Sequence, residues 1–516
     1  MLRGVFTVGG WTMVSRVFGF LRDVLIAKMA GTGPVADAFV IALRVPNLFR
    51  RLFGEGAFNA AFVPEFAAIL AGEGRSSARG FAEEAIAVLA FWLLLLTVLG
   101  EVFMPQIMGV LASGFIDEPD KFALTVALAR IMFPYLFLIC LTALLSGVLN
   151  GLDKFAAAAA APVVFNGVSI ACMGFLTPYV PTVGHALSWG VTVSGVLQLA
   201  LLVWAVRRAG MPVRVPRPRL TPRVRLLMRR MAPGLVGAGV TQLNLSVDTL
   251  IVSWLPPSSA SLLYYADRLQ QLPLGVIGTA VGTAILPLLS RQVRTGEVAG
   301  SIATLNRAVE YALVLTLPAA VALGTVGQPI MSVLFRRGEF TETSALLSSQ
   351  ALAAYALGLP AFVLLKVVVP AFFARGDTST PVRVGFCAIA FNLCLNVLFM
   401  VPLQHVGPAM ATSLSAWGNV GVLLFLLRRR RHLLWEVRLR RRVPRMVLAA
   451  AGMGVGLLVA GGPAMGAVEG HALLRWVALG VLVGGGLGVY GAVGQILGAF
   501  DGRELLRMRR RAPAAS

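Results

Sequence analysis

Residues 87 to 99 read Ala87-Val-Leu-Ala-Phe-Trp-Leu-Leu-Leu-Leu-Thr-Val-Leu99, thirteen consecutive positions without a formal charge. The run is continuous rather than alternating. It suits a helix that is apolar on every side and not the strand of a transmembrane barrel, whose residues change character one by one. Backbone groups in hydrocarbon must be satisfied within their own segment, which a helix does. Apolar stretches recur along the chain, for example over 309–323 with Glu310 as its one charge, and a span needs about 20 such residues. The 516 residues carry 45 Lys plus Arg against 23 Asp plus Glu, a formal net charge of +22, with 57% hydrophobic and only 13% charged residues. A soluble domain carries roughly 25% charged residues, so an ordinary globular enzyme is excluded. On a water-soluble chain the basic surplus would point to nucleic acid; here it points to a membrane and to an anion near it.

Fourteen spans are predicted, at 5–28, 35–53, 82–111, 122–149, 157–177, 184–206, 230–255, 262–289, 304–324, 345–373, 381–402, 406–427, 444–463 and 472–497. Arg16 and Arg22 inside the first apolar stretch make it a poor signal peptide, so it is expected to remain as a helix. Arginines crowd the connection after the sixth span (Arg207, Arg208, Arg214, Arg217, Arg219, Arg223, Arg225, Arg229, Arg230) and the one after the twelfth (428–431, Arg438, 440–442, Arg445). Both connections, with the tail residues Arg503, Arg507 and 509–511, are expected in the cytoplasm by the positive-inside rule, which places both termini there. Cys140, Cys172, Cys387 and Cys394 lie in apolar segments without ligand spacing and read as packing residues.

The chain also repeats itself. Pro105-Gln-Ile-Met-Gly-Val-Leu with Gly114 and Phe115 recurs as Pro329-Ile-Met-Ser-Val-Leu with Gly338 and Phe340, and Ala36-Asp37, Pro46 and Phe62-Val-Pro64 recur as Ala266-Asp267, Pro273 and Ile285-Leu-Pro287. The copies lie a little over 220 residues apart. This predicts an all-α integral membrane protein of about 14 transmembrane helices, with two six-helix lobes around a central cavity and two further C-terminal helices. The expected divisions are 1–228, 229–430 and 431–516, the last including a basic cytoplasmic tail. Parallel repeats of this kind are a transporter architecture with the substrate site between the halves.

Charges inside apolar spans cost at least about 2.5 kcal/mol on insertion scales and normally face a wet cavity or a partner. Arg16, Arg22, Asp23, Lys28, Asp37, Arg44, Arg50, Arg51 and Glu55 interrupt the first two spans and their connections, and Asp267 and Arg268 interrupt the eighth. Arg16 and Asp23, seven apart, share a helix face, as do Asp37 and Arg44. The functional reading is a cationic cavity built mainly from Arg16, Arg22, Arg50 and Arg268, whose guanidinium forks suit phosphate oxygens. The structural alternative is that the arginines snorkel to an interface or pair with Asp23, Asp37 and Glu55. Ser15, Asp37, Arg51, Glu55 and Asp267 are expected to support the arginines or the gates. Asp248, a carboxylate deep in the seventh span, could hold sodium or a proton, and Asn392, Asn396 and Thr412 could complete an oxygen cage; as a pair, Asn392 and Asn396 also read as interhelical hydrogen-bonding residues. Lys366 is alone in the tenth span, with cavity and ion-pair roles both open. The glycine runs at 452–462 and 484–486 follow no strand, so they read as close packing rather than nucleotide binding. The four histidines have no ligand spacing, and the arginine runs read as topology determinants that attract anionic lipid.

The first 66 residues carry a resemblance. Ser15-Arg16-Val-Phe-Gly19-Phe-Leu-Arg22-Asp23, Gly33-Pro-Val-Ala-Asp37-Ala-Phe39, Pro46-Asn47-Leu-Phe-Arg50-Arg51-Leu-Phe-Gly-Glu55-Gly56-Ala-Phe58 and Phe62-Val-Pro64 resemble the bacterial lipid II flippase family (MurJ, or MviN). The segment Tyr264-Tyr-Ala-Asp267-Arg268-Leu resembles the same family's eighth helix. The family belongs to the multidrug, oligosaccharidyl-lipid and polysaccharide exporter superfamily, and the resemblance extends over essentially the whole chain. It implies a transporter, not an enzyme, that moves undecaprenyl-pyrophosphate-linked disaccharide pentapeptide from the inner to the outer leaflet of the cytoplasmic membrane for peptidoglycan synthesis. It also implies that Arg16, Arg22, Asp23, Arg50 and Arg268 line the cavity, that the last two helices form a groove for the lipid tail, and that Asp248, Asn392, Asn396 and Thr412 fall where some members bind sodium. Asn396 departs from the pattern, since the sodium-binding members have a carboxylate there. No cofactor other than sodium is implied. The implied partners are lipid II and membrane lipid, with other cell-wall synthesis proteins as further candidates, and no nucleic acid. The rivals are an exporter of another polyprenyl-linked glycan or of cationic drugs, the latter expected to have an acidic cavity, and an integral-membrane enzyme acting on polyprenyl phosphates, which would need clustered catalytic residues in hydrophilic loops.

Overall fold

The computed structural model describes residues 2–51, 57–468 and 471–500, and among these the secondary structure is helical, with no strand. In chain order the helices are α1 (Leu2–Ala30), α2 (Pro34–Phe49), α3 (Ala57–Gly72), α4 (Arg75–Val102), α5 (Met104–Leu111), α6 (Pro119–Met132), α7 (Tyr135–Gly151), α8 (Ala156–Leu176), α9 (Val183–Arg208), α10 (Pro222–Ser253), α11 (Ser259–Arg294), α12 (Val298–Thr325), α13 (Gly327–Phe335), α14 (Glu342–Phe373), α15 (Ser379–Phe399), α16 (Gly407–Arg429), α17 (Val437–Gly466) and α18 (Ala472–Ile496). Ten are long and apolar enough to cross a membrane among the described residues, counting α6 and α7 as one. The other four predicted spans coincide with α1, α2, α10 and α11. Those helices hold the charges singled out in the sequence, and α2 is only 16 residues long.

Three helices go beyond the predicted spans. The third span breaks at Phe103 into α4 and the short α5, and its counterpart in the second half is the equally short α13, so the repeated Pro-containing motif is in both copies a helix of eight or nine residues. Helix α3 falls in what reads as a connection, because it is short and carries Pro64. Its Phe62 and Phe66 are nevertheless fully buried, and Phe62 stacks on Phe66 and on Phe81 of α4 at centroid separations of 5.6 and 5.5 Å.

The chain divides into two compact units, residues 1–261 with 337–340, and residues 262–336 with 341–516. In the first, α3, α4, α7, α9 and the start of α10 enclose an apolar core around Phe66, Leu144, Val148 and Leu202. Two glycine turns of this unit are related by the repeat. Gly114 presses on the Ser253 carbonyl at the end of α10, where a Cβ would overlap it, and its amide donates to Ser253 Oγ at 3.2 Å. Gly338, at φ 57°, presses on the Lys28 carbonyl near the end of α1, and that carbonyl accepts from Glu339 N at 2.9 Å. A left-handed residue in close backbone contact requires glycine. Each repeat therefore packs its glycine turn on the end of the other repeat's first helix.

In the second unit, α12, α14 and α16 pack around Val309, Leu364, Val367 and Leu423, and α17 joins through Met446. Glu310, on the buried face of α12, accepts from Arg438 Nε at 3.1 Å and Nη2 at 3.3 Å and also pairs with Arg442, both from α17. Asn306, one turn earlier, donates to the Leu434 carbonyl at 2.8 Å and accepts from Glu436 N. Two arginines of the basic connection are thus committed to a buried carboxylate, whereas the sequence gives that run only a topological role. Between α14 and α15, Asp377 accepts from Thr380 N at 2.9 Å and pairs with Arg430. The Thr380 hydroxyl and amide, then Arg430, hold its carboxyl well below the usual range.

Candidate functional site

The buried end of α1 packs on α8. Arg22 donates from Nε and Nη2 to Asp23 Oδ1 at 3.2 and 2.8 Å and from Nη1 to Asn166 Oδ1 at 3.0 Å, with its guanidinium 5.4 Å from the centre of the Phe165 ring. Asn166 is 6% exposed and its Nδ2 donates to the Ser15 carbonyl at 3.1 Å. Both ends of the carboxamide are therefore spoken for, which fixes its orientation. Gly19 lies against that amide, with the Asn166 Nδ2 3.4 Å from where a Cβ would stand. Asp23 thus pairs with Arg22, its neighbour in sequence, and not with Arg16, seven residues before it. Arg16 is exposed and makes no hydrogen bond or ion pair among the described residues.

On α2 the two charges predicted to share a face go to different partners. Asp37, 2% exposed, accepts from Ser258 N at 2.7 Å, Ser261 N at 2.9 Å and Ser261 Oγ at 2.8 Å, and lies 3.5 Å from Lys121 Nζ of α6. Lys121 is 4% exposed at its side chain and sits 4.0 Å from the centre of the Phe115 ring. Asp37 therefore caps the start of α11 from a different helix, with donors aimed at a carboxylate as at any helix N-terminus. Ser258 adopts φ 74° there, a conformation uncommon outside glycine. Arg44 Nη1 donates to Thr249 Oγ1 of α10 at 2.9 Å, next to the half-buried Asp248. Arg50 Nε donates to Asn47 Oδ1 at 3.2 Å, and Arg51 is exposed. Glu55 and the arginines of the tail lie outside the described residues.

In the second unit, Arg268 of α11 lies 4.6 Å from the Tyr264 ring centre, a cation–π arrangement, and Asp267 accepts from Gln271 one turn on. Lys366 of α14 lies along Gly278 and Gly282 of α11; a Cβ at Gly278 would sit 2.8 Å from its Nζ. The small residues of α11 make room for this cation, which is exposed and has no ion pair among the described residues. Asn396 Nδ2 donates to Asn392 Oδ1, and Asn392 Nδ2 lies 3.5 Å from Thr412 Oγ1, so these three bridge α15 and α16. Asp248 belongs to the first unit and the three to the second. No group of three or more His, Cys, Asp and Glu positioned for a metal occurs among the described residues. Any ion bound by Asn392, Asn396 and Thr412 would rely on neutral oxygens, a donor set suited to a hard monovalent cation.

Sequence reasoning did not select Asn166, Lys121, Ser258 or Ser261. Asn166 is a single uncharged polar residue in an apolar run, and its role arises from α8 packing on α1, 144 residues away. Chemically, the first unit offers one held guanidinium and one exposed guanidinium on α1, and the second a cation over an aromatic ring on α11 and a lysine of α14 that lies along the same helix. These groups suit an anion with several oxygens.

The family model described as "Lipid II flippase MurJ" matches residues 26–468. The chain is 43% identical over 458 residues to a probable lipid II flippase MurJ of Rhizobium tropici, covering 88% of this chain and 86% of that one. It is 44% identical to its counterpart in Rhizobium meliloti (strain 1021), covering 88% and 85%. Over 438 residues it is 35% identical to the lipid II flippase MurJ of Burkholderia cenocepacia, covering 84% of each. Among solved structures, the inward closed conformation of a lipid II flippase MurJ matches with a TM-score of 0.78 at 24% identity over 97% of this chain and 99% of that one. An inward-facing multidrug resistance transporter of the MATE family matches with a TM-score of 0.68 at 13% identity over 82% and 97%. Both structural likenesses speak to the fold.

Proposed function

The chain belongs to the lipid II flippase MurJ family, and from that membership we propose how its own residues carry the transport. It is a multi-pass protein of the bacterial inner membrane that moves lipid II, undecaprenyl-pyrophosphate-linked disaccharide pentapeptide, from the inner to the outer leaflet by alternating access. It is a transporter and not an enzyme. The observation that carries the residue-level reading is the Arg22 guanidinium, held at the α1–α8 contact by Asp23 and Asn166 although it lies in an apolar helix. Such a group is retained against its insertion cost when an anion must be met there.

In this reading Arg16, Arg22, Arg50 and Arg268 receive the diphosphate in the low-dielectric interior, where charge-assisted bonds are strongest. Asp23 orients Arg22, with Ser15, Arg51, Glu55 and Asp267 as supporting groups. The Asp37 contacts hold together one membrane face, the outer one if both termini are cytoplasmic, as the arginine distribution proposes. That face must release for the headgroup to leave. Lys366 adds a further cation beside α11. Sodium bound through Asp248, Asn392, Asn396 and Thr412 is the proposed coupling ion, and other cell-wall synthesis proteins are proposed partners.

In cells depleted of their own flippase, this chain is expected to restore growth and outer-leaflet accessibility of lipid II. Failure of the membrane-inserted protein to do so would overturn the reading. Removing sodium while the membrane potential is maintained is expected to slow translocation; an unchanged rate would reject the sodium proposal. Asn166→Ala is expected to lower the rate about tenfold at unchanged protein level, since a hydrogen bond to a charged group contributes about 1.5–3 kcal/mol. An unaltered rate would show that Asp23 alone positions Arg22.

A further inference from the structure

A cleft of about 380 Å³ opens in the second unit where the ends of α12 and α17 meet α13 and the start of α18. It lies at the end of α17 opposite the arginine-rich segment 438–445. Its polar wall holds two guanidinium groups. Arg336 pairs with Glu342, so that pair is neutral. Arg475 of α18 donates from Nη2 to Ser332 Oγ at 2.6 Å, a neutral acceptor on a side chain 6% exposed, and has no carboxylate partner among the described residues. Among the described residues the cleft therefore carries one positive charge that no carboxylate compensates. Its floor is apolar and low, because Gly462 and Gly466 have nothing within 4 Å of where a side chain would start. The floor runs on to Leu458, 62% exposed, on a helix long and apolar enough to span the membrane. A single cation at one end of an apolar trough that opens to hydrocarbon matches an amphiphile with one negative charge and an attached chain.

We propose that this cleft is a binding site for an anionic glycerophospholipid, with its phosphodiester on Arg475 and Ser332 and its chain along Leu458, Gly462 and Gly466. The monoanionic phosphodiester balances the one free charge. The volume falls within the roughly 300–1,000 Å³ of small-molecule sites. Continuity with the exposed face of α17 favours a lipid over a free anion, since a free anion would leave the trough uncovered. Arg475 and Ser332 are not among the residues proposed to receive the diphosphate, so failure of this proposal would leave the flippase reading untouched.

The test uses the full-length purified protein in detergent, titrated separately with phosphatidylglycerol, phosphatidylcholine and inorganic phosphate, with retained lipid counted by native mass spectrometry. The expected result is preferential retention of phosphatidylglycerol, weakened about tenfold by Arg475→Gln through loss of a charge-assisted contact. Gly462→Leu, which fills the trough without touching a charge, should weaken it as well. Arg475→Lys should retain most of the binding, and Arg441→Gln, at the opposite end of α17, should leave the Arg475-dependent lipid in place. Thermal unfolding without added lipid reports whether each variant is folded. Equal retention by the wild type, Arg475→Gln and Gly462→Leu overturns the proposal. So does displacement of the lipid by inorganic phosphate at equal concentration, which would mark a site for a free anion.

Discussion

Arg22→Ala is expected to reduce lipid II translocation by at least about a hundredfold. The Arg22 side chain has two duties in the proposed transport. Its charge would meet the diphosphate, and its fork neutralises Asp23, which is 6% exposed in an apolar helix. Two charge-assisted contacts of about 1.5–3 kcal/mol each correspond to a loss of that size or more, at about 1.4 kcal/mol per factor of ten. Alanine also leaves the buried carboxylate without its cation, a penalty separate from substrate recognition. Arg22→Lys separates the two effects. An ammonium keeps the charge beside Asp23 but cannot also hold Asn166 in the same fork geometry, so it should restore protein level while restoring only part of the activity. A leaflet-specific accessibility assay at matched expression measures this, and full activity of Arg22→Ala would remove Arg22 from the substrate site.

The second large effect concerns stability. Asp37→Ala removes the acceptor shared by Ser258 N, Ser261 N and Ser261 Oγ and leaves the nearly inaccessible Lys121 ammonium without this partner. Breaking a buried ion pair from one side costs about 3–5 kcal/mol, so a marked fall in the thermal unfolding temperature of the detergent-purified protein is expected. Asp37→Asn keeps an acceptor and should lose less. The double variant Asp37→Ala with Lys121→Met removes both charges and should recover part of the loss, because without Asp37 the buried Lys121 keeps only the exposed Glu118, 3.5 Å away, as a carboxylate partner. Equal stability of Asp37→Ala and the wild type would show that the capping contacts contribute nothing net.

The fold class was legible because burial in lipid demands continuous apolar helices, and the predicted spans coincide in position with helices. The short α5 was absorbed into the third predicted span and α13 was visible only as a repeated motif, since neither is long enough to register as a span. Helix α3 escaped notice because Pro64 and its length argue for a connection, whereas its buried Phe62 stacks on Phe66 and on Phe81, contacts that periodicity does not encode. In the candidate site, charges stand out against an apolar background, so Arg22, Asp23 and Asp37 were found. Their partners were not, because Asn166, Ser258 and Ser261 are ordinary neutral residues until tertiary packing aims them. A shared face does not name a partner: Asp37 and Arg44, seven apart on α2, reach different neighbours, Ser261 and Lys121 for one and Thr249 for the other.

Glu310 and its two arginines have a practical consequence for following the transport cycle. A carboxylate gripped by Arg438 and Arg442 fastens the base of α17 to α12, so that α17 is geared to the helix beside it. A pair of spin labels, one on each of these helices near Asn306 and Arg440, should keep a constant separation through turnover. A label on α17 then serves as a fixed reference for the whole second unit, against which motion elsewhere in the protein can be timed.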